Sequence, residues 1–128
     1  MRSLEQERAA HALKAVNSIR NESYASKFRS YVERLPAAIV MNGLGQAMAG
    51  ELAAGGRAEK NEDALAHKKL YDLVAEWIRM RGIYSSDEGL IDAIVKGEQD
   101  QYVLAQAEAL AYLEWLKKFS QAFLEKEV

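Results

Sequence analysis

The stretch YASKFRSYVERLP, residues 24–36, decides the fold class of this chain. Its large apolar side chains recur every three or four residues, a spacing that places them along one face of an α-helix. A β-strand would need apolar and polar residues in alternation, and the β-branched residues of the chain never form such runs. We therefore predict an all-α protein, and the apolar face of this stretch consists of Tyr24, Phe28, Tyr31, Val32 and Leu35.

Helix-favouring residues also dominate the rest of the sequence, and their apolar periodicity predicts six helices. The first begins at a capping box formed by Ser3 and Gln6. Pro36 ends the second helix and can serve as an early residue of the third. We expect one compact bundle domain over residues 1–128. Its predicted helices cover residues 3–20, 24–35, 36–54, 62–81, 85–96 and 99–126.

Composition adds two expectations about packing. The third predicted helix is the least polar segment and is rich in Ala and Gly, so we expect it to be the central, buried helix. In the last helix we expect Val103 and Phe123 to be among the residues that point inward.

The totals exclude several classes of protein. The chain has 128 residues and no cysteine, so disulfides, thiolate zinc sites and cysteine nucleophiles are absent. No segment fits a signal peptide or a membrane span, and we expect a soluble, cytoplasmic protein. The net charge of −2 argues against a protein that binds nucleic acid alone, although residues 1–34 hold seven Lys and Arg against four Asp and Glu. Such a mildly basic segment could help to hold a polyanion inside an assembly.

Residues that could carry catalysis are few. His11 follows Glu7, and His67 follows Asp63, each four positions later, so that each pair shares a helix face. A metal site needs three or four converging ligands, and we interpret both pairs as surface pairs. We predict no catalytic residue, no bound metal and no cofactor, and therefore no enzyme.

The most unusual stretch is NGLGQ at residues 42–46. It does not match a phosphate-binding loop, because Met48 stands where the third glycine should be and no strand precedes it. Two glycines within a predicted helix indicate either close helix packing or a surface that docks a partner or brings the backbone near a ligand. Both interpretations apply to the same five residues: Asn42, Gly43, Leu44, Gly45 and Gln46.

Several stretches in order resemble the small helical subunit of the type III-B (Cmr-type) CRISPR effector complex. The most specific part is Leu35-Pro36 followed by the Asn-Gly-Leu of residues 42–44. Ala49-Gly50-Glu51 depart from the family pattern, which continues with large apolar residues. The other matching residues are Tyr24, Tyr31, Gly45, Gln46, Ala47, Leu70, Tyr71, Trp77, Ala107 to Leu110 and Trp115 to Phe119.

The resemblance implies a structural role without chemistry. Members of this family stack as a short helical filament beside the backbone subunits that carry the guide RNA, and they help to form the groove in which guide and target RNA pair. The implied partners are therefore other Cmr-type subunits, further copies of the chain, and both RNAs. Charge placement, not the resemblance, selects the basic residues expected to include those that face RNA: Lys14, Arg20, Lys27, Arg34, Lys117 and Lys118.

Three alternatives stay open at the level of sequence. One is the small subunit of the related Csm-type (III-A) complex, which shares the all-helical build. Another is an unrelated helical protein-interaction module that binds no nucleic acid. The last is an enzyme whose RNA cleavage would depend on His11 or His67.

Overall fold

The computed structural model describes residues 1–56, 61–85 and 87–128. Within these ranges the chain forms α-helices and no strand, which confirms the predicted all-α class. None of the helices in these ranges is long and apolar enough to cross a membrane. The six helices are α1 (Leu4–Ile19), α2 (Ala25–Asn42), α3 (Leu44–Gly55), α4 (Glu62–Met80), α5 (Leu90–Lys96) and α6 (Gln99–Phe123).

The longest helix, α6, organises the core. It packs against α1, α2 and α4, while α3 packs against α2 and α4, and the short α5 contacts α3. Helices α1 and α6 run in the same direction, because Arg8 contacts Glu108 and Arg20 contacts Phe123. The largest fully buried side chains include Phe28 of α2. The remaining ones come from every helix except α5: Val16, Ile19, Val32, Ile39, Leu44, Met48, Leu70, Ile78, Tyr112, Leu113 and Leu116.

The predicted boundary between the second and third helices is wrong. Pro36 lies inside α2, which continues to Asn42. Proline removes one backbone N–H from the helix, but Leu35 and Ile39 on either side are buried in the core. Their burial keeps the segment helical, and tertiary packing thus outweighs the local preference of proline.

The chain instead breaks at Gly43, whose φ of 88° and ψ of 157° suit glycine and few other residues. Its N–H donates to the carbonyl of Ile39 at 2.7 Å and closes α2. The first N–H groups of α3 lack partners within the helix. Side chains of α6 supply the acceptors: Leu44 N–H donates to Oε1 of Gln106, and Gly45 N–H donates to the hydroxyl of Tyr102, both at 2.9 Å.

The structure corrects other details of the prediction. Helix α3 is not the central helix, because much of its surface is exposed, including Gly50 and Leu52. The fifth helix begins at Leu90 instead of near Ser85, and Ser86 lies outside the described residues. The sixth helix ends at Phe123. The predicted capping box at the start of α1 is confirmed.

Two residues that were expected to point inward are exposed: Val103 and Phe123. Helical periodicity correctly groups Val103 with other apolar residues on one face of α6. No helix in the described ranges covers that face. The exposed fraction of Val103 is 60 %.

A buried carboxylate joins three helices. Glu108 of α6 is 8 % exposed and accepts from Nε and Nη2 of Arg8 at 2.8 and 2.9 Å. Nε1 of Trp77 in α4 also donates to Glu108 at 2.9 Å, and Nε of Arg81 lies 3.8 Å from it. A buried charge is tolerated only when it is paired and hydrogen-bonded, and this carboxylate meets both conditions.

The change Glu108→Gln tests this junction. It keeps the shape of the side chain but removes the buried charge that Arg8 faces, and it leaves the half-buried guanidinium with the exposed carboxylate of Glu5 at 2.9 Å. We therefore expect the free energy of unfolding to fall by about 3 kcal/mol. The matched control is Glu114→Gln on the same helix, where an exposed carboxylate lies 3.5 Å from Lys118. The control should change stability by less than about 1 kcal/mol. Urea unfolding compares the two, and equal effects would contradict the junction.

The junction also predicts how stability depends on pH. The bond from Arg8 holds the pKa of Glu108 below its ordinary value and outweighs burial, which acts in the opposite direction. A carboxyl with a lowered folded pKa contributes stability that is complete above its unfolded pKa and is lost as pH falls through the folded pKa. The difference in unfolding free energy between the parent and Glu108→Gln should stay constant between about pH 7 and pH 5 and shrink below about pH 4. A difference that grows on acidification would contradict this assignment.

Gly43→Ala and Gly50→Ala form a second matched pair. A Cβ on Gly43 would lie 2.9 Å from the Tyr102 hydroxyl in a backbone conformation that alanine resists, whereas a Cβ on Gly50 meets nothing within 4 Å. We expect Gly43→Ala to destabilise the chain by about 1–3 kcal/mol and Gly50→Ala, inside α3, to stabilise it by about 0.5–1 kcal/mol. Thermal unfolding measures both changes. Similar values for the two variants would show that the joint at Gly43 is unconstrained.

Candidate nucleic-acid interface

The six basic residues selected from the sequence lie on three helices that pack together. Lys14 belongs to α1 and Arg20 follows its last residue, Lys27 and Arg34 belong to α2, and the third pair belongs to α6. That third pair is Lys117 and Lys118. The contacts of each residue decide whether its charge is available to a phosphate.

Arg20 and Lys27 both lie near the end of α6. The guanidinium of Arg20 lies over the ring of Phe123, 5.1 Å from its centroid. Nζ of Lys27 donates to Glu127 at 3.1 Å and lies 3.5 Å from Asp63. The bond to Glu127 raises the pKa of Lys27, so this residue is charged but already paired with acids. Arg20 is held by an aromatic ring, and no acid among the described residues pairs with it.

Arg34 is held by a stack of side chains. Its guanidinium lies 5.0 Å from the centroid of the Tyr31 ring, and the ring of His67 stacks on Tyr31 at a centroid distance of 3.8 Å. The hydroxyl of Tyr31 donates to Asp63, and burial, together with that bond, raises the pKa of Tyr31 to about 12. Tyr31 is therefore not a free platform for a nucleobase. Arg34, by contrast, has no acid partner in the described part of the chain.

The remaining basic residues also differ in whether an acid pairs with them. Nζ of Lys118 lies 3.5 Å from Glu114, one helical turn earlier. Lys117 is half-buried, and Lys14 is exposed. Neither has an acid within ion-pair distance among residues 1–56, 61–85 and 87–128. Four of the six charges are thus uncompensated within those ranges: Lys14, Arg20, Arg34 and Lys117.

The two histidines lie between helices and not in surface pairs, which corrects the interpretation from sequence. Nδ1 of His11 lies 2.7 Å from the hydroxyl of Tyr112, and its Nε2 lies 3.4 Å from Glu76. Nδ1 of His67 lies 2.8 Å from Glu51 of α3. No group of three possible metal ligands occurs in the described ranges.

The stretch at residues 42–46 is largely occupied by contacts with α6. Leu44 is fully buried, and the N–H groups of Leu44 and Gly45 are bonded to Gln106 and Tyr102. These groups are therefore not available to a ligand. The side chains of Asn42 and Gln46 are exposed at this joint.

A groove between α1 and α4 was not predicted. The two helices both pack on α6 but make few contacts with each other. The space between them has a volume of about 790 Å³, and we name it the α1–α4 groove. The regular spacing of its α4 residues was visible in the sequence, but which helix would face them was not. Its lining includes Glu7, Ala10, His11, Lys14, Ala15, Ser18, Lys69, Leu73, Glu76, Trp77 and Met80.

An exposed apolar strip on α6 was also missed. Val103 and Leu104 are each 60 % exposed, and Ala107 and Ala111 continue the same helix face one and two turns later. We name these four residues the α6 stripe. Asp100 precedes the stripe, and Glu114 follows it.

Comparison with known proteins covers all six helices. The family model described as CRISPR-associated protein (Cas_Cmr5) matches residues 4–123. The X-ray crystal structure of a CRISPR-associated Cmr5 family protein from Thermus thermophilus matches with a TM-score of 0.75 at 26 % sequence identity. That alignment covers 97 % of this chain and 100 % of the Thermus chain. The resemblance predicted from the sequence is confirmed, and the chain belongs to the Cmr5 family of CRISPR-associated proteins.

Proposed function

We propose that this chain is a non-catalytic structural subunit of a type III-B (Cmr) ribonucleoprotein complex. It sits beside the backbone subunits, stacks with further copies of itself, and helps to hold guide and target RNA in the cytoplasm during antiviral defence. The observation that carries the proposal is the family match over residues 4–123, which includes every helix of the fold.

The uncompensated basic residues support a role near RNA. Arg20 and Arg34 are each held by an aromatic ring, so that their guanidinium groups are positioned but not neutralised. Positioned cations contact phosphates without reading sequence, as a subunit that holds many different guides requires. With a net charge of −2, the chain depends on neighbouring subunits for most of the phosphate neutralisation.

The contacts of the histidines support a role without chemistry. A general base must be free to reach the proton that it abstracts. His11 is engaged by Tyr112 and Glu76, and His67 is stacked on Tyr31 and bonded to Glu51. Both side chains serve contacts between helices.

Reconstitution with the double variant Arg20→Glu/Arg34→Glu tests the proposal. The chain is mixed with Cmr backbone subunits and guide RNA, and the product is sized with and without a complementary target. We expect several copies to enter the complex in both the parent and the variant. The variant should retain the target about tenfold less tightly, and the slope of log affinity against log salt should be shallower by about two.

The control is Lys68→Glu/Arg79→Glu, which makes the same change of charge at two exposed residues of α4 outside the candidate set. It should retain the target like the parent, and circular dichroism verifies that both variants fold. Failure of the parent chain to enter the complex would refute the structural role. Equal retention by the variant and the control would refute the contact of Arg20 and Arg34 with RNA.

A further inference from the structure

The α1–α4 groove has dimensions that suit the binding of a helix. Its α1 side, from Glu7 to Ser18, and its α4 side, from Lys69 to Met80, each extend about 17 Å at 1.5 Å per residue. Small and apolar side chains line much of it, among them Ala10, Ala15 and Leu73. A groove between two helices whose floor is apolar accepts the apolar face of a third helix.

Charge distinguishes the two ends of the groove. Helices α1 and α4 are antiparallel, because Arg8 and Arg81 both approach Glu108. Lys14 and Lys69 therefore lie toward one end, and neither has an acid partner in the described ranges. Glu76 lies near the middle, and Glu7 lies toward the other end, which Arg2 also lines. Among the described residues one end is thus basic, and the opposite end is mixed.

The α6 stripe has the complementary properties. The stripe extends about 12 Å from Val103 to Ala111, and together with Asp100 it extends about 17 Å, the length of the groove. Asp100 makes its first end acidic, while Glu114 and Lys118, 3.5 Å apart, make its second end mixed. The alanines of the stripe allow a neighbouring helix to approach closely.

We propose that the α6 stripe of one copy of this chain occupies the α1–α4 groove of the next copy, with Asp100 beside Lys14 and Lys69. The inference rests on the proposed function, because it names the surfaces through which the copies stack. The stripe is apolar, the groove offers it Ala10, Ala15 and Leu73, and the orientation that pairs opposite charges sets the acidic end of the stripe against the basic end of the groove.

The contact joins two different surfaces, and this determines the kind of assembly. Every copy that docks its stripe still presents an empty groove, and every copy that fills its groove still presents a free stripe. Such a head-to-tail contact extends into an open row, whereas a contact between identical patches would stop at a dimer.

RNA is a poorer occupant of the groove. Trp77 is 3 % exposed and one face of its ring is stacked on Tyr112, so it offers no platform for a base. Glu7 and Glu76 would repel a phosphate backbone that follows the groove. In this arrangement Lys14 and Lys118 contact the neighbouring copy, Lys27 stays paired with Glu127 and Asp63, and Arg20, Arg34 and Lys117 are left for RNA.

The native chain has no cysteine, so introduced cysteines are unambiguous probes. We would place Ser18→Cys in the groove and Leu104→Cys on the stripe of one chain and add a short bismaleimide cross-linker. The experiment is run on the concentrated free chain and on the reconstituted complex. We expect a ladder of covalent dimers, trimers and longer products, and either single-cysteine variant should give only monomers.

Two controls test the position and the charges. The pair Val95→Cys/Leu104→Cys places one cysteine on α5, outside the lining of the groove, where Val95 is 77 % exposed, and it should give no ladder. Adding Lys14→Glu/Lys69→Glu to the reactive pair should lower the yield of ladder about tenfold. Adding Asp100→Lys to that variant should restore it.

Several outcomes would overturn the inference. Dimers from a single-cysteine variant would show a contact between identical patches. A ladder from the Val95 pair, or a cross-link from the groove to RNA, would show a different neighbour. No ladder in a complex that has incorporated several copies would refute the contact and leave the proposed function standing. Failure to enter the complex would refute the proposed function, and the free chain would still decide whether the stripe meets the groove.

Discussion

The carboxylate of Glu108 is the interaction on which the arrangement of the helices depends. It is nearly inaccessible to water, and it binds Arg8 of α1 and Trp77 of α4 at the same time. A charge in this position is stable only while all three helices keep their places, since the loss of any partner leaves a desolvated ion. The junction therefore specifies one relative placement of α1, α4 and α6 more sharply than apolar packing alone would.

The same junction explains why the surface between α1 and α4 stays open. Both helices are held by α6, so neither needs to contact the other. His11 and Trp77 cover the central helix at the bottom of this space, with Tyr112 beneath them. The packing that stabilises the core thus also leaves a long concave surface on its outside.

Much of the fold could be predicted from apolar spacing, and the failures have local causes. The six helices follow from periodicity, but the joint between the second and third does not. Pro36 disfavours helix locally, but core packing keeps α2 helical through it. The helix ends instead at Gly43, because Gln106 and Tyr102, some sixty residues later, accept the first N–H groups of α3. The burial of Glu108 could have been predicted, because it shares a helix face with Ala105 and Tyr112, which are buried.

The candidate interface was predictable only as a set of charges. The sequence places both Lys27 and Arg34 on α2. Tertiary contacts pair Lys27 with acids, whereas Arg34 lies over the ring of Tyr31. The same limit applies to Val103, because periodicity shows which residues share a face but not whether another helix covers that face.

The pairing of α1 with α6 has a consequence for synthesis of the chain. Contacts such as Arg8 with Glu108 and Lys27 with Glu127 join residues 100 positions apart. While a ribosome is making the chain, α1 and α2 emerge long before the helix that covers them, and their apolar faces stay open to solvent or to chaperones. The buried contacts that α1, α2 and α4 make with α6 can form only after α6 has left the exit tunnel, so a message truncated before the codons for α6 would yield a polypeptide that lacks all of them.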